Sequence, residues 1–153
     1  MDITWGTPVF TAIATVLPQI GFNSIEQTSI AAGNNIYINA GVSVNVSVIG
    51  SIKGSILISS TLDGAMQFAS KMMMGMPVTE LDGMAQSALS EMGNMVCAYA
   101  CTVFSEHGMP GLDVSPPTIL IGEGATIMVP APQTLTASFT VDAIPLRVCV
   151  GLT

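Results

Sequence analysis

Three features of this chain predict an α+β fold, a largely antiparallel sheet with two long helices and an N-terminal helix packed on it. Apolar residues recur at helical spacing in three separate stretches. Around them, β-branched residues gather in short runs broken by Gly and Pro, one of which alternates strictly with polar residues. The order is helix, strands, two helices, strands, and elements segregated in this way favour α+β over an alternating parallel sheet. The 153 residues suit one domain, 1–153, large enough to bury a core without disulfides or metal.

Pro8 to Ile20 reads as the first helix. Val9, Ile13, Val16 and Leu17 share a face, Pro8 suits the first turn, and Pro18 ends or kinks the segment. From Ser24 to Ser59 the chain turns to β-branched runs interrupted by Gly33, Gly41, Gly50 and Gly54, read as a meander of antiparallel strands. Val42, Val44, Val46 and Val48 alternate with Ser43, Asn45 and Ser47, the period of a strand with one buried face. Gly50 to Gly54 then reads as a hairpin turn into Ser55 to Ser59. Thr61 is expected to cap a second helix ending near Met74, with Leu62, Ala65, Met66, Ala69 and Met73 inward.

The third helix is the longest. Pro77 precedes it, Thr79 with Asp82 three positions on resembles a capping box, and Gly108 and Pro110 mark its end. Taking Glu91 as origin, Ala85, Leu89, Met92, Val96, Tyr99, Ala100 and Val103 lie at about 80° to 180°, a broad apolar stripe. Gly83 and Gly93 each cost about 1 kcal/mol against Ala in a helix interior. Gly93 has two readings, room for a partner surface or close packing on the sheet. Strands follow at Thr118 to Ile121, Thr126 to Val129, Leu135 to Val141 and Leu146 to Val150, with Gly122-Glu123-Gly124 as a hairpin turn.

Composition narrows the function. Ten acids stand against Lys53, Lys71 and Arg147, a formal charge of −7, and so few cations cannot neutralise a phosphate backbone. Nucleic acid is not expected as a partner. Mean hydropathy is +0.65, yet no run of about 18 apolar residues exists, so no membrane insertion is expected. Only 8% of residues are charged, and a surface this poor in charge predicts that a second subunit covers part of it. Met1-Asp2-Ile3-Thr4-Trp5 lacks the basic and apolar regions of a signal peptide, and Cys97, Cys101 and Cys149 lack framework spacing. A cytoplasmic protein with free thiols is the expectation.

Opposite the apolar stripe of the third helix, Ser87, Glu91 and Asn94 stand at i, i+4 and i+7. At 100° per residue they fall within about 60° of one another, so a hydroxyl, a carboxylate and a carboxamide project from one strip. Pro116 follows Asn94 by 22 positions, in Asp113-Val114-Ser115-Pro116-Pro117.

The pattern Ser or Asp, three residues, Glu, two residues, Asn, twenty-one residues, Pro resembles the phosphatase motif of the CheC, CheX and FliY group of chemotaxis proteins. Ser90-Glu91-Met92-Gly93-Asn94-Met95 and Val114-Ser115-Pro116-Pro117-Thr118 also look like CheX. CheC-type relatives carry a second copy of the motif in the other half of the fold, whereas the Pro8 to Ile20 helix holds no Glu or Asn, so a single site fits the CheX type.

The resemblance implies a homodimer that removes the phosphoryl group from the aspartate of a CheY-like receiver domain. It implies no cofactor of the chain's own, the divalent metal belonging to the receiver. Glu91 and Asn94 are then the catalytic residues. The carboxamide has both a donor and an acceptor with which to hold a water in line with the scissile bond, and Glu91 pairs with the receiver's lysine. Ser87 would assist at the edge of the contact, and Pro116 would shape the neighbouring loop. The alternative is a non-catalytic module of the same fold that docks a receiver domain or a flagellar switch component. The carboxamide at Asn94 favours the enzyme, because docking alone has no need of it.

Other candidate groups have plainer readings. His107, the single histidine, sits at a helix end where it is expected to cap carbonyls. Cys97 and Cys101, one turn apart, are half of a metal site that no other spacing completes, and read as small buried residues. Met72, Met73, Met74 and Met76 read as adaptable core filling, in preference to a soft-metal or binding surface. No Ser-His-Asp arrangement of a hydrolase is legible.

Overall fold

The computed structural model describes residues 6–153, so the run Met1 to Trp5 lies outside the described residues. Three helices, α1 (Thr7–Ile20), α2 (Leu62–Met72) and α3 (Gly83–Glu106), pack on one face of a seven-stranded antiparallel sheet. The strands are β1 (Ile25–Gly33), β2 (Ile36–Ile38), β3 (Val42–Ile49), β4 (Gly54–Ser60), β5 (Asp113–Val114), β6 (Thr118–Ile121), β7 (Thr126–Met128), β8 (Thr134–Val141) and β9 (Ile144–Leu152). The sheet runs β1-β8-β9-β4-β3, and β5 and β6 both pair with the free edge of β3. The predicted α+β class is the observed one.

Within the 24–59 region, β3 and β4 form the expected hairpin, with Val42 opposite Ser60 and Val48 opposite Gly54. The expected meander does not extend further. β1 crosses to pair with β8 and β2 pairs with β7 in a separate two-stranded ribbon, because the β8–β9 hairpin inserts between β1 and β4. Such pairings join residues a hundred positions apart and leave no local signature. The alternating valines of β3 do face the core, but Ser43 on the other face is also buried. Its hydroxyl donates to Asn39 Oδ1 at 2.8 Å, so the chain after β2 covers that side. Leu57 of β4 and Cys149 of β9 are likewise buried there, with Tyr37 and Val129. Gly122-Glu123-Gly124 is a turn between strands of different sheets, β6 on β3 and β7 on β2, and so is not a hairpin.

The helices depart from expectation in detail. α1 accommodates Pro18 and ends at Gly21, whose φ of 124° suits glycine alone. Thr61 caps α2 as expected, its hydroxyl accepting from the Gly64 N–H at 3.0 Å. The inward face of α2 is Ala65, Phe68 and Ala69, while Leu62 points to solvent at 48% exposure. Met72 packs on the core, but Met74 and Met76 are 97% and 55% exposed and so are not core filling. α3 begins one turn later than a Thr79 cap would place it. Asp82 is the cap, its carboxylate accepting from the Ala85 N–H at 2.9 Å. Ala85, Leu89, Met92, Val96, Ala100 and Val103 are buried as the periodicity predicts, and Tyr99, at the border of the stripe, is 36% exposed.

Of the two readings of Gly93, the sheet-packing one is correct. The residue is buried, and a Cβ built there would meet Val44 Cγ1 at 2.6 Å. Valine is stiff at χ1 and cannot swing aside. Gly93→Ala is therefore expected to lose about 1–2 kcal/mol net, overpacking outweighing the gain in helix propensity. Gly83→Ala, at a position with nothing within 4 Å, should be neutral or slightly stabilising. Urea denaturation midpoints with unchanged m-values measure both.

Candidate functional site

The polar strip stands on the side of α3 away from the sheet. The same turn that presses Gly93 on Val44 therefore turns Glu91 and Asn94 outward. Ser87 and Glu91 are exposed and Asn94 is half-buried. Among the described residues none of the three side chains makes a hydrogen bond or ion pair. A carboxylate and a carboxamide one turn apart, both unengaged, are free to bind a partner's groups.

Pro116 arrives from the edge of the sheet. Asp113 and Val114 pair with Ile49 and Val48, and Thr118 to Ile121 pair with Asn45 to Val42, so β5 and β6 act as one edge strand broken at 115–117. The register shifts by one residue across the break. Ser115 pins the break to β3, its N–H donating to the Ser47 carbonyl at 2.9 Å and its Oγ accepting from the Ser47 N–H at 3.0 Å. Pro116 and Pro117, which cannot donate to a ladder, occupy the part that leaves the sheet. They form one wall of an open groove of about 890 Å³, and Ser87, Ser90, Glu91 and Asn94 form the other.

All four residues singled out from the sequence thus border one groove. Gln86, Ser90, Thr118 and Ile119 line it too. Gln86 is held by its own Nε2 donating to the Leu81 carbonyl at 2.9 Å. A helical wheel alone could not select Gln86 and Ser90, because the side of α3 on which the proline loop lies is a tertiary matter. Ser115, which fastens that loop, sat inside the quoted motif context without a role assigned to it.

The other singled-out groups lie elsewhere. His107 Nδ1 is 2.8 Å from the Val103 carbonyl at the end of α3, so it caps the helix as expected. Cys97 and Cys149 are buried and Cys101 is half-buried. Among the described residues no group of three His, Cys, Asp or Glu is placed to hold a metal. Burial pushes the Cys97 thiol up to about 12, with Cys101 adding to the shift, and burial also raises Cys101 and Cys149.

A family model described as Chemotaxis phosphatase CheX matches residues 42–140. The chain belongs to the CheX family. That stretch contains every element of the groove, from β3 through α3 to the proline loop. The CheX protein of Thermotoga maritima, named CheY-P phosphatase CheX, is 35% identical over 82 residues, which is 54% of this chain and 52% of that one. The chain thus matches about half the length of that curated relative. Two solved CheX structures share the fold. One, from Desulfovibrio desulfuricans, has a TM-score of 0.83 at 24% identity and 99% coverage of both chains. The other, a CheX-CheY-BeF3-Mg complex from Borrelia burgdorferi, has a TM-score of 0.75 at 24% identity and the same coverage.

One chemical expectation follows from burial in the CheX-type helix. Cys97 should resist a thiol reagent such as DTNB at pH 8 in the native protein and react only on unfolding, with Cys101 intermediate, as peptide mapping can read. The folded state keeps the Cys97 proton where an unfolded thiol, ordinarily at 9.0, has lost it. The contribution of Cys97 to stability is therefore complete below pH 9 and declines as pH rises from there toward 12.

Proposed function

We propose that this protein hydrolyses the phosphoaspartate of a CheY-like receiver domain, with Glu91 and Asn94 as the catalytic pair. One observation carries the reading: two unengaged polar side chains, a turn apart on a rigid helix, open into a groove whose far wall is the proline loop. Membership of the CheX family supports it, as does a CheX of the same fold having been captured with CheY, beryllofluoride and magnesium.

The chemistry asked of this chain is modest. An acyl phosphate is already activated, and the receiver brings its own divalent metal, so the partner chiefly has to position water. The Asn94 carbonyl accepts a hydrogen from the water and its amide donates, holding the oxygen in line with phosphorus. The P–O bond to the aspartate breaks as the water oxygen adds, leaving a free carboxylate on the receiver and releasing inorganic phosphate. Glu91 pairs with the receiver's lysine and fixes α3 in register. Ser87 lies one turn back on the same strip, and Pro116 shapes the opposite wall.

Decay of a phosphorylated receiver measures the roles. Asn94→Ala should abolish acceleration, a loss of 10²-fold or more in line with removal of a water-positioning group, while still binding the receiver. Glu91→Ala should weaken association as well. Equal rates for wild type and both variants would remove the mechanism, and wild-type binding without turnover would favour the docking module.

The same reading places the protein in the cytoplasm with its receiver. No helix of the described residues is long and apolar enough to cross a membrane. The reading also makes the protein a homodimer. β1 supports that part, being a nine-residue strand at the sheet edge with an open ladder and mostly exposed side chains. Static light scattering should return twice the 15.8 kDa chain mass.

A further inference from the structure

Glu91 and Asn94 do not stand alone on their face of the molecule. Met84 lies two turns before Glu91, about 20° from it around α3, and is 64% exposed. On the other side, Met95 follows Glu91 by four residues and shares a surface groove of about 520 Å³ with Met72 and Met74. Met74 is 97% exposed and sits at φ 60°, a left-handed conformation that a long side chain seldom adopts. The turn that imposes it is tied down, with the Gly75 N–H donating to the Ser70 carbonyl at 2.8 Å and Ser70 Oγ donating to the Met76 carbonyl at 2.7 Å. A strained backbone that holds an apolar side chain out in water calls for a reason outside the fold.

We propose that Met84 and Met74 are apolar anchors that bracket the polar pair and bind the surface of the receiver around its phosphorylated aspartate. The inference rests on the phosphatase reading and adds to it which residues supply affinity. Continuity decides the occupant. A standard interface buries roughly 800 Å² on each partner, a disc of roughly 16 Å radius. Met84 lies about 10 Å along the helix from Glu91 and about 15 Å from Asn94, inside that disc. A receiver that brings its aspartate to Asn94 therefore covers Met84. Methionine suits the task because its flexible, polarisable chain adapts to the contour it meets. Only 8% of the residues are charged, so apolar contacts of this kind add to what the Glu91 pairing contributes.

The test uses a CheY-type receiver domain loaded with beryllofluoride and magnesium for binding, and the phosphorylated receiver for turnover. Met84→Glu should raise Kd and KM at least tenfold with kcat unchanged, Met74→Glu should raise both severalfold, and Met84→Leu should restore wild-type values. Both positions are exposed, so melting temperatures should hold, and circular dichroism checks this. If both Glu variants bind within twofold of wild type while Glu91→Ala binds weakly, the anchors are refuted and the phosphatase reading stands. If Met84→Glu changes the oligomeric mass and leaves receiver affinity alone, the surface belongs to a second copy and the inference falls. Should wild type neither bind nor dephosphorylate the receiver, the functional reading itself fails and takes the anchors with it.

Discussion

The contact between Gly93 and Val44 is the constraint on which the rest of the molecule depends. It brings the backbone of α3 close to β3, since a single methyl group at position 93 would drive into the valine. A helix seated this tightly cannot roll, because buried side chains on either side, Leu89, Met92 and Val96, are locked into the same core. The outward direction of Glu91 and Asn94 is thus a consequence of packing on the far side of the helix. Their precision as a pair comes from a rigid element rather than from side-chain hydrogen bonds, of which they make none among the described residues.

The second wall of the groove shows how an edge strand can be put to use. β3 would otherwise present an open ladder on its free side. β5 and β6 cover it, and the interruption between them, where two prolines follow Ser115, lifts the chain off the sheet toward α3. The break serves two ends. It removes donors from the sheet's edge, and it brings Pro116 to the strip of α3 that carries the motif. Ser115 keeps the excursion short by bonding both polar groups of Ser47.

A site of this kind spends little of the protein's stability. Its polar groups are exposed or half-buried, so they bear little desolvation cost. The sparse charge of the chain fits the same economy. The receiver's own metal and lysine supply the positive charge in the proposed reaction, and this chain adds one carboxylate and one amide.

Much of this was legible in the residues alone. Helical periodicity located α1 nearly to the residue and the buried stripe of α3, and the alternating valines located β3, because those signals come from the burial of one face and are written locally. The spacing of Ser87, Glu91 and Asn94 placed them on one strip for the same reason. Only the tertiary structure decided that β1 pairs with β8 and that β2 leaves the main sheet for β7. It alone decided that Pro116 faces Glu91, that Gly93 serves the core, and that Met74 and Met84 stand in solvent. Each of these turns on which distant surface comes to lie against a segment, and a chain's local pattern records that a face is apolar without recording what covers it.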